Sequence, residues 1–183
     1  MTCAANFRDT TLDNDDQTPA EKLHGALMDW ITTHVALGDI DDAVHIEILR
    51  KVGVTAILCL NGFPSFPRYE GFVWHSVELI DGPGNEPSAL VRAIDTIAAL
   101  VSQGHKVLVH CAYGTSRSPF VVTCYLETFE RLEMTQAMDL VMAKRPFTLI
   151  HEALLDLRRS MQLPGGLPGM YGGNHKAGTQ QEP

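Results

Sequence analysis

Apolar runs and helical stripes alternate through the middle of the chain. VGVTAILCL over 52–60 is a nearly unbroken apolar run with β-branched residues, which predicts a buried strand ending at the Asn61-Gly62 turn signal. FVWHSVELI over 72–80 and KVLVHC over 106–111 predict two further strands. Between them the apolar spacing changes to that of a helix. Leu90, Ile94, Ile97 and Val101 share one face over 88–103, with Pro87 at the start and Gly104 placed to stop the helix. A shorter helix is predicted over 41–51, closed by Gly53, with Val44, Ile48 and Leu49 facing inward. Residues 119–131 form another, opened by Pro119 in its first turn. Helices over 135–144 and 151–161 are separated at Arg145-Pro146, because a residue before proline resists the helical region. The alternation predicts a single α/β domain with a central sheet and helices on both faces.

The two ends lack this pattern. Residues 1–23 are polar and acidic, and 163–183 are rich in Gly and Pro, so flexible tails are expected around a folded body over 24–162. The chain has 183 residues, 45% of them hydrophobic, enough for one domain with a real core. No apolar stretch reaches the length of a membrane span, and the N-terminal residues lack the cationic and apolar parts of a signal peptide. The expected location is therefore cytoplasmic, with the nucleus as a second compartment. A formal net charge of −8 argues against nucleic-acid and anionic-membrane partners, which need a cationic field. Any phosphorylated partner must be gripped locally. The four cysteines (Cys3, Cys59, Cys111, Cys124) match neither a zinc spacing nor a disulfide framework, and read as free thiols.

VLVHCAYGTSRSPF from Val107 to Phe120 carries the candidate chemistry. A strand ending at His110-Cys111 and a helix opening near Pro119 leave a short loop between them. Such loops aim several backbone N–H groups at one spot, and the helix dipole adds partial positive charge there, which suits a phosphate. Gly114 lets the backbone curl, and Ala112 and Thr115 add little bulk; Tyr113 and Ser116 complete the candidate phosphate-binding set with Arg117. The Arg117 guanidinium can grip two phosphate oxygens at once. A thiol of ordinary pKa near ~8.5 can fall to about 3.5–7.5 at a helix N-terminus beside a cation, so Cys111 is a candidate nucleophile. Ser118 could donate its hydroxyl to the sulfur as it leaves, and His110 orients the cysteine backbone. The leaving oxygen needs a proton. Asp81 fits best, ending VELI and followed by Gly82-Pro83-Gly84; Glu78 points within its strand, and Glu86 is the fallback.

HCAYGTSRS matches H-C-x-x-G-x-x-R-S/T, and over most of 30–160 the chain resembles the dual-specificity branch of the cysteine-dependent protein tyrosine phosphatases. VELIDGPG resembles that family's acid loop, thirty positions upstream of the cysteine, and AKRP the start of its closing segment. The resemblance implies a mostly parallel sheet and metal-free, two-step phosphomonoester hydrolysis with no cofactor. It implies Cys111 as nucleophile, Arg117 as phosphate clamp and Asp81 as general acid. In some members a cysteine at the position of Cys59 forms a reversible disulfide with the nucleophile, so Cys59 is a candidate redox partner. Many relatives follow the Arg-Pro with Pro-Asn, whose Asn braces the phosphate loop, whereas this chain has Leu149-Ile150.

No long tyrosine-bearing loop precedes the first strands, which implies a shallow site open to phosphoserine and phosphothreonine as well as phosphotyrosine. The loop positions carry no cation beyond Arg117, which favours a phosphorylated protein over a phosphoinositide or RNA end. Arg68, His75, Arg145 and Arg158 are candidates for extra positive charge nearby, with solvated surface positions as the alternative. Tyr113 is a candidate rim residue. Cys124 reads as inert packing. A phosphate-binding module with little turnover, and a thiol enzyme of the sulfurtransferase or arsenate-reductase type, remain competing classes. Oligomeric state is left open.

Overall fold

The computed structural model describes residues 28–62 and 70–161. The expected tails, and Arg68, lie outside the described residues. Five strands, β1 (Asp29–Trp30), β2 (Val35–Gly38), β3 (Ala56–Cys59), β4 (Val73–Ser76) and β5 (Val107–His110), form one sheet in the order β1-β2-β5-β3-β4. β1 runs antiparallel to β2, and every other pairing is parallel. This is the mostly parallel sheet expected, with two strands, β1 and β2, that the apolar pattern did not announce. β2 is the short run Val-Ala-Leu-Gly, half of it residues of poor strand propensity, and its partner β5 lies far along the chain.

The strands separate two cores by simple alternation. Val35, Leu37, Ala56, Leu58, Val107 and Val109 face the larger cluster, while Ala36, Ile57 and Leu108 face the smaller. The smaller core is closed by α1 (Ile40–Val44) and α2 (Ile46–Lys51) through Ala43, Ile46 and Leu49. The larger is covered by α3 (Pro87–Ser102), α4 (Arg117–Phe129), α5 (Met134–Lys144) and α6 (Glu152–Ser160). Leu90, Ile94 and Ile97 of α3 and Phe120, Val121 and Val122 of α4 are buried in it.

Three expectations are corrected. The single helix over 41–51 is two short helices broken at His45, whose ring Nδ1 lies 2.6 Å from the Asp41 carbonyl and takes the acceptor that a continuing helix would need. The break turns Val44 outward and buries Asp42 and Ala43 instead. The strand over 72–80 pairs in the ladder only at 73–76; beyond it, Val77 and Leu79 donate to the carbonyls of Cys59 and Leu60 and deliver the chain to Asp81. Finally, α4 begins at Arg117, two residues before Pro119. The proline occupies the third position, where its missing N–H costs nothing because first-turn amides have no acceptor within the helix.

Candidate active site

The loop from Cys111 to Ser116 joins β5, the central and fully buried strand, to the N-terminus of α4. Three of its carbonyls are held from outside. Ala112 O accepts from the Ile40 amide at 3.3 Å, Thr115 O from the Leu149 amide at 2.7 Å, and Gly114 O from Arg145 Nε at 2.6 Å. All peptide bonds described are trans, and in a trans peptide the N–H points opposite to the C=O of the preceding residue. Fixing those carbonyls outward therefore turns the amides of Tyr113, Thr115 and Ser116 toward the inside of the curl. Gly114 adopts φ of 64°, and a Cβ there would lie 2.8 Å from Gly38 O and collide with Arg145 Nη2. The signature glycine is required by both conformation and space.

Arg145 also reaches Asp29 on β1, Nη1 to Oδ2 at 2.7 Å. One largely buried guanidinium thus ties the phosphate loop to the sheet edge. This answers what Leu149-Ile150 leaves open: the bracing is done by the Arg145 side chain and the Leu149 main chain. Of the candidates for extra positive charge, Arg145 is thus beside the phosphate loop but spent on holding it. Arg158 is paired with Glu127, Nε to Oε2 at 2.8 Å, between α6 and α4. His75 is exposed on β4.

Cys111 is buried, with its Sγ 3.3 Å from Ser118 Oγ, and Ser118 donates to Gly38 O at 3.3 Å. The hydroxyl has one proton and two acceptors at equal reach, so it can turn from carbonyl to sulfur when the sulfur is anionic. Arg117 opens α4 and donates through Nη1 to Leu79 O at 3.2 Å, and its Nε is buried with no hydrogen-bond partner. A buried, unpaired guanidinium N–H at the mouth of a curl of amides is a donor arranged for an anion. His110 is fully buried, with Nδ1 3.4 Å from the Cys111 carbonyl, and burial pulls its pKa down to about 4, so it is neutral near pH 7.

Asp81 stands on the acid loop, and its Oδ1 accepts from Ser116 Oγ at 2.5 Å. Ser116 in turn accepts from the His151 amide at 3.0 Å, at the start of α6. The loop is stapled internally by Asn85, which accepts from the Ile80 amide at 2.8 Å and donates to the carbonyls of Ile80 (2.8 Å) and Gly82 (2.9 Å). Asn85 and the Ser116 hydroxyl escaped the sequence reading; the signal was present, since an Asn closing a Gly-Pro-Gly stretch commonly bonds nearby backbone. Glu78 and Glu86 are exposed, and neither makes the contact with the phosphate loop that Asp81 makes.

Cys59 closes β3 opposite His110 of β5 and is buried and free, as are Cys111 and Cys124. Burial raises the Cys59 pKa, with Arg117 and Cys111 both near enough to act on its charge. Burial likewise pushes the Cys124 thiol up, in keeping with inert packing. Tyr113 is among the most exposed large hydrophobic side chains described.

Comparison with known proteins agrees with this geometry. The human dual specificity protein phosphatase 9 is 32% identical over 160 residues, covering 83% of this chain and 42% of that protein. The dual specificity protein phosphatase MPK-4 of Drosophila melanogaster is 32% identical over 125 residues, covering 66% of this chain and 32% of the relative. The chain thus spans less than half the length of these curated relatives. The crystal structure of human DUSP28 superposes with a TM-score of 0.67 at 24% identity, covering 73% of this chain and 90% of that one, which shows the shared fold. The family model "Dual specificity phosphatase, catalytic domain" matches residues 42–156, from the buried Asp42 to α6, and the chain belongs to that family.

Proposed function

We propose that the chain hydrolyses phosphomonoesters on proteins, phosphotyrosine and phosphoserine or phosphothreonine, through a phosphocysteine intermediate. The observation that carries this reading is the curl of inward amides between Cys111 and Arg117, with the unpaired Arg117 Nε at its end. The phosphate's equatorial oxygens lie against the amides of 112–116 and the Arg117 fork, leaving phosphorus in line with Cys111 Sγ. In the first step the sulfur lone pair forms the S–P bond, the P–O bond to the substrate breaks, and Asp81 gives its proton to the leaving oxygen. In the second, Asp81 takes a proton from water, the water oxygen bonds phosphorus, and the S–P bond breaks. Ser118 then turns its O–H to the departing sulfur. His110, uncharged, holds the Cys111 backbone without competing for the anion.

Metal-free, vanadate-sensitive hydrolysis of an aryl phosphate tests the reading. Cys111→Ser abolishes it, and Asp81→Asn lowers kcat about 10²-fold or more, the range of a lost general acid. Turnover surviving Cys111→Ser rejects the mechanism; a folded wild type with none leaves only phosphate binding. Cys59 serves in this reading as the redox partner: peroxide oxidises Cys111 to the sulfenic acid, and the Cys59 thiolate displaces hydroxide to form the disulfide. Mass spectrometry after mild peroxide should find a Cys59–Cys111 link. Over-oxidised Cys111 without that link removes the role. The phosphoprotein is met in a reducing compartment, cytoplasm or nucleus, where free thiols persist.

A further inference from the structure

Exposed apolar side chains are not scattered evenly over the described residues. Among the described residues, the large hydrophobics more than half exposed are Ile80 (51%), Tyr113 (77%), Leu149 (80%) and Phe147 (85%). All four stand on segments bonded to the phosphate loop. Tyr113 lies on the loop itself. Leu149 is attached to it by its amide at Thr115 O, and Phe147 stands between that attachment and Arg145, which holds Gly114 O. Ile80 immediately precedes Asp81, whose carboxylate is bonded to Ser116. Three separate stretches of chain therefore raise an apolar group around one anion cradle. Isolated exposed hydrophobics need no explanation, but a cluster confined to one site marks a contact surface.

The charge around the cradle narrows the occupant. Residues 78–86, 112–116 and 146–151 contain no Lys or Arg, and Glu78, Asp81 and Glu86 are exposed. Arg145 is committed to Gly114 and Asp29, and Arg158 to Glu127. Among the described residues of the cradle, the guanidinium with a buried, unpaired N–H is that of Arg117. A second phosphate or a run of acidic residues beside the phosphorylated one would meet carboxylates and apolar groups.

We propose that Ile80, Tyr113, Phe147 and Leu149 form a specificity rim that selects singly phosphorylated polypeptide segments with apolar side chains flanking the phosphorylated residue. This rests on the phosphatase reading above, and it names the substrate class that the same site prefers. The phosphate anchors the segment at Arg117, and neighbouring side chains leave water against the rim on either side of the cradle.

The test compares kcat/KM for phosphotyrosine peptides that share one length and differ only in flanks: Leu, Val and Phe; Asp and Glu; or a second phosphorylated residue. Measurements at about 0.5 M salt screen simple charge repulsion, leaving the apolar term. The apolar peptide should exceed the acidic one about tenfold, the low end of what one apolar contact contributes to discrimination. Phe147→Ser should reduce that ratio to about threefold and leave hydrolysis of a small aryl phosphate unchanged, because Phe147 is none of the groups that hold or attack the phosphate and its side chain is 85% exposed. Absence of aryl phosphate hydrolysis by the wild type would fail the phosphatase reading itself. Normal aryl phosphate hydrolysis with no flank preference, or with a preference untouched by Phe147→Ser, overturns the rim alone. Faster turnover of a phosphoinositide in phosphatidylcholine vesicles than of every peptide also overturns it, assigning the apolar ring to a lipid surface.

Discussion

The phosphate loop and the acid loop face each other across the site, and they are held by opposite strategies. Each outward carbonyl of the phosphate loop is taken by a donor from outside the loop: the Ile40 amide at the start of α1, and, from the segment after α5, the Leu149 amide and the Arg145 side chain, which is itself anchored to β1. The acid loop is stapled to itself by Asn85 and joins its neighbour through two side-chain bonds, Ser116 to Asp81 and Arg117 to Leu79 O. The first arrangement fixes an anion site in advance, so binding phosphate needs no reorganisation. The second keeps the carboxyl on a unit that can shift as a whole, as a group must that protonates a leaving oxygen and then approaches water. Rigidity serves charge stabilisation, and freedom serves proton transfer.

The sharpest way to break this contrast is Gly114→Ala. The new methyl meets Gly38 O and the Arg145 guanidinium at a backbone angle alanine disfavours, so the curl must open. Activity should fall at least about 10²-fold, the size of a lost oxyanion donor, with vanadate affinity falling in parallel. Arg145→Ala should act the same way more mildly, with stability reduced by about 2 kcal/mol for the charge-assisted bonds lost. Arg145→Lys should not rescue it, because a point charge cannot serve Gly114 O and Asp29 in fixed directions. Retained vanadate affinity in Arg145→Ala would show that the loop holds its shape without the brace.

Asn85→Ala perturbs only the other loop. Losing its three hydrogen bonds should loosen the unit carrying Asp81, lowering kcat about tenfold for alkyl phosphates, whose leaving oxygen must be protonated. Nitrophenyl phosphate, with a good leaving group, should be affected less, and vanadate affinity should not change. An equal loss for both substrates, or weaker vanadate binding, would mean that Asn85 supports the phosphate loop too.

The chemistry of the phosphate loop was legible because it is local: strand, thiol, glycine, arginine and helix lie within eleven residues, and their spacing marks the loop. The strands β3 and β5 and the long helix α3 were legible for the same reason, since their apolar periodicity is unbroken. The supports were not. Arg145 meets Asp29 across more than a hundred positions, and β2 is recognised as a strand only beside β5. No periodicity marks a side chain whose partner is chosen by the tertiary fold. The exposed Val44 and the break at His45 failed for a related reason: a side chain captured a carbonyl that the helical pattern assigns to the main chain.

The remaining expected effect is one of pH on stability, and it separates the two regions again, because both groups concerned lie behind the phosphate loop. Asp42 is buried beside Asp39, with Asp29 and Arg145 close enough to act on it, and burial raises its pKa from 3.8 to about 7. His110 is buried near Asp39 and Arg117, and burial lowers its pKa from 6.5 to about 4. Between about pH 4 and 7 the folded state holds a proton on Asp42 that the unfolded chain has released, so this carboxyl makes stability fall as pH rises. Between about pH 4 and 6.5 the unfolded chain holds a proton on His110 that the folded state excludes, so the imidazole makes stability rise. The two slopes oppose each other over most of one window. Asp42→Asn keeps an acceptor for the Asp39 amide and removes one slope, so urea unfolding should show its stability relative to wild type climbing with pH by at most about 1.4 kcal/mol per unit. A difference that stays level from pH 4 to 7 would mean that Asp42 is already ionised in the fold, held as a carboxylate by Arg145 and the Asp39 amide, and would make it one more fixed charge of the brace.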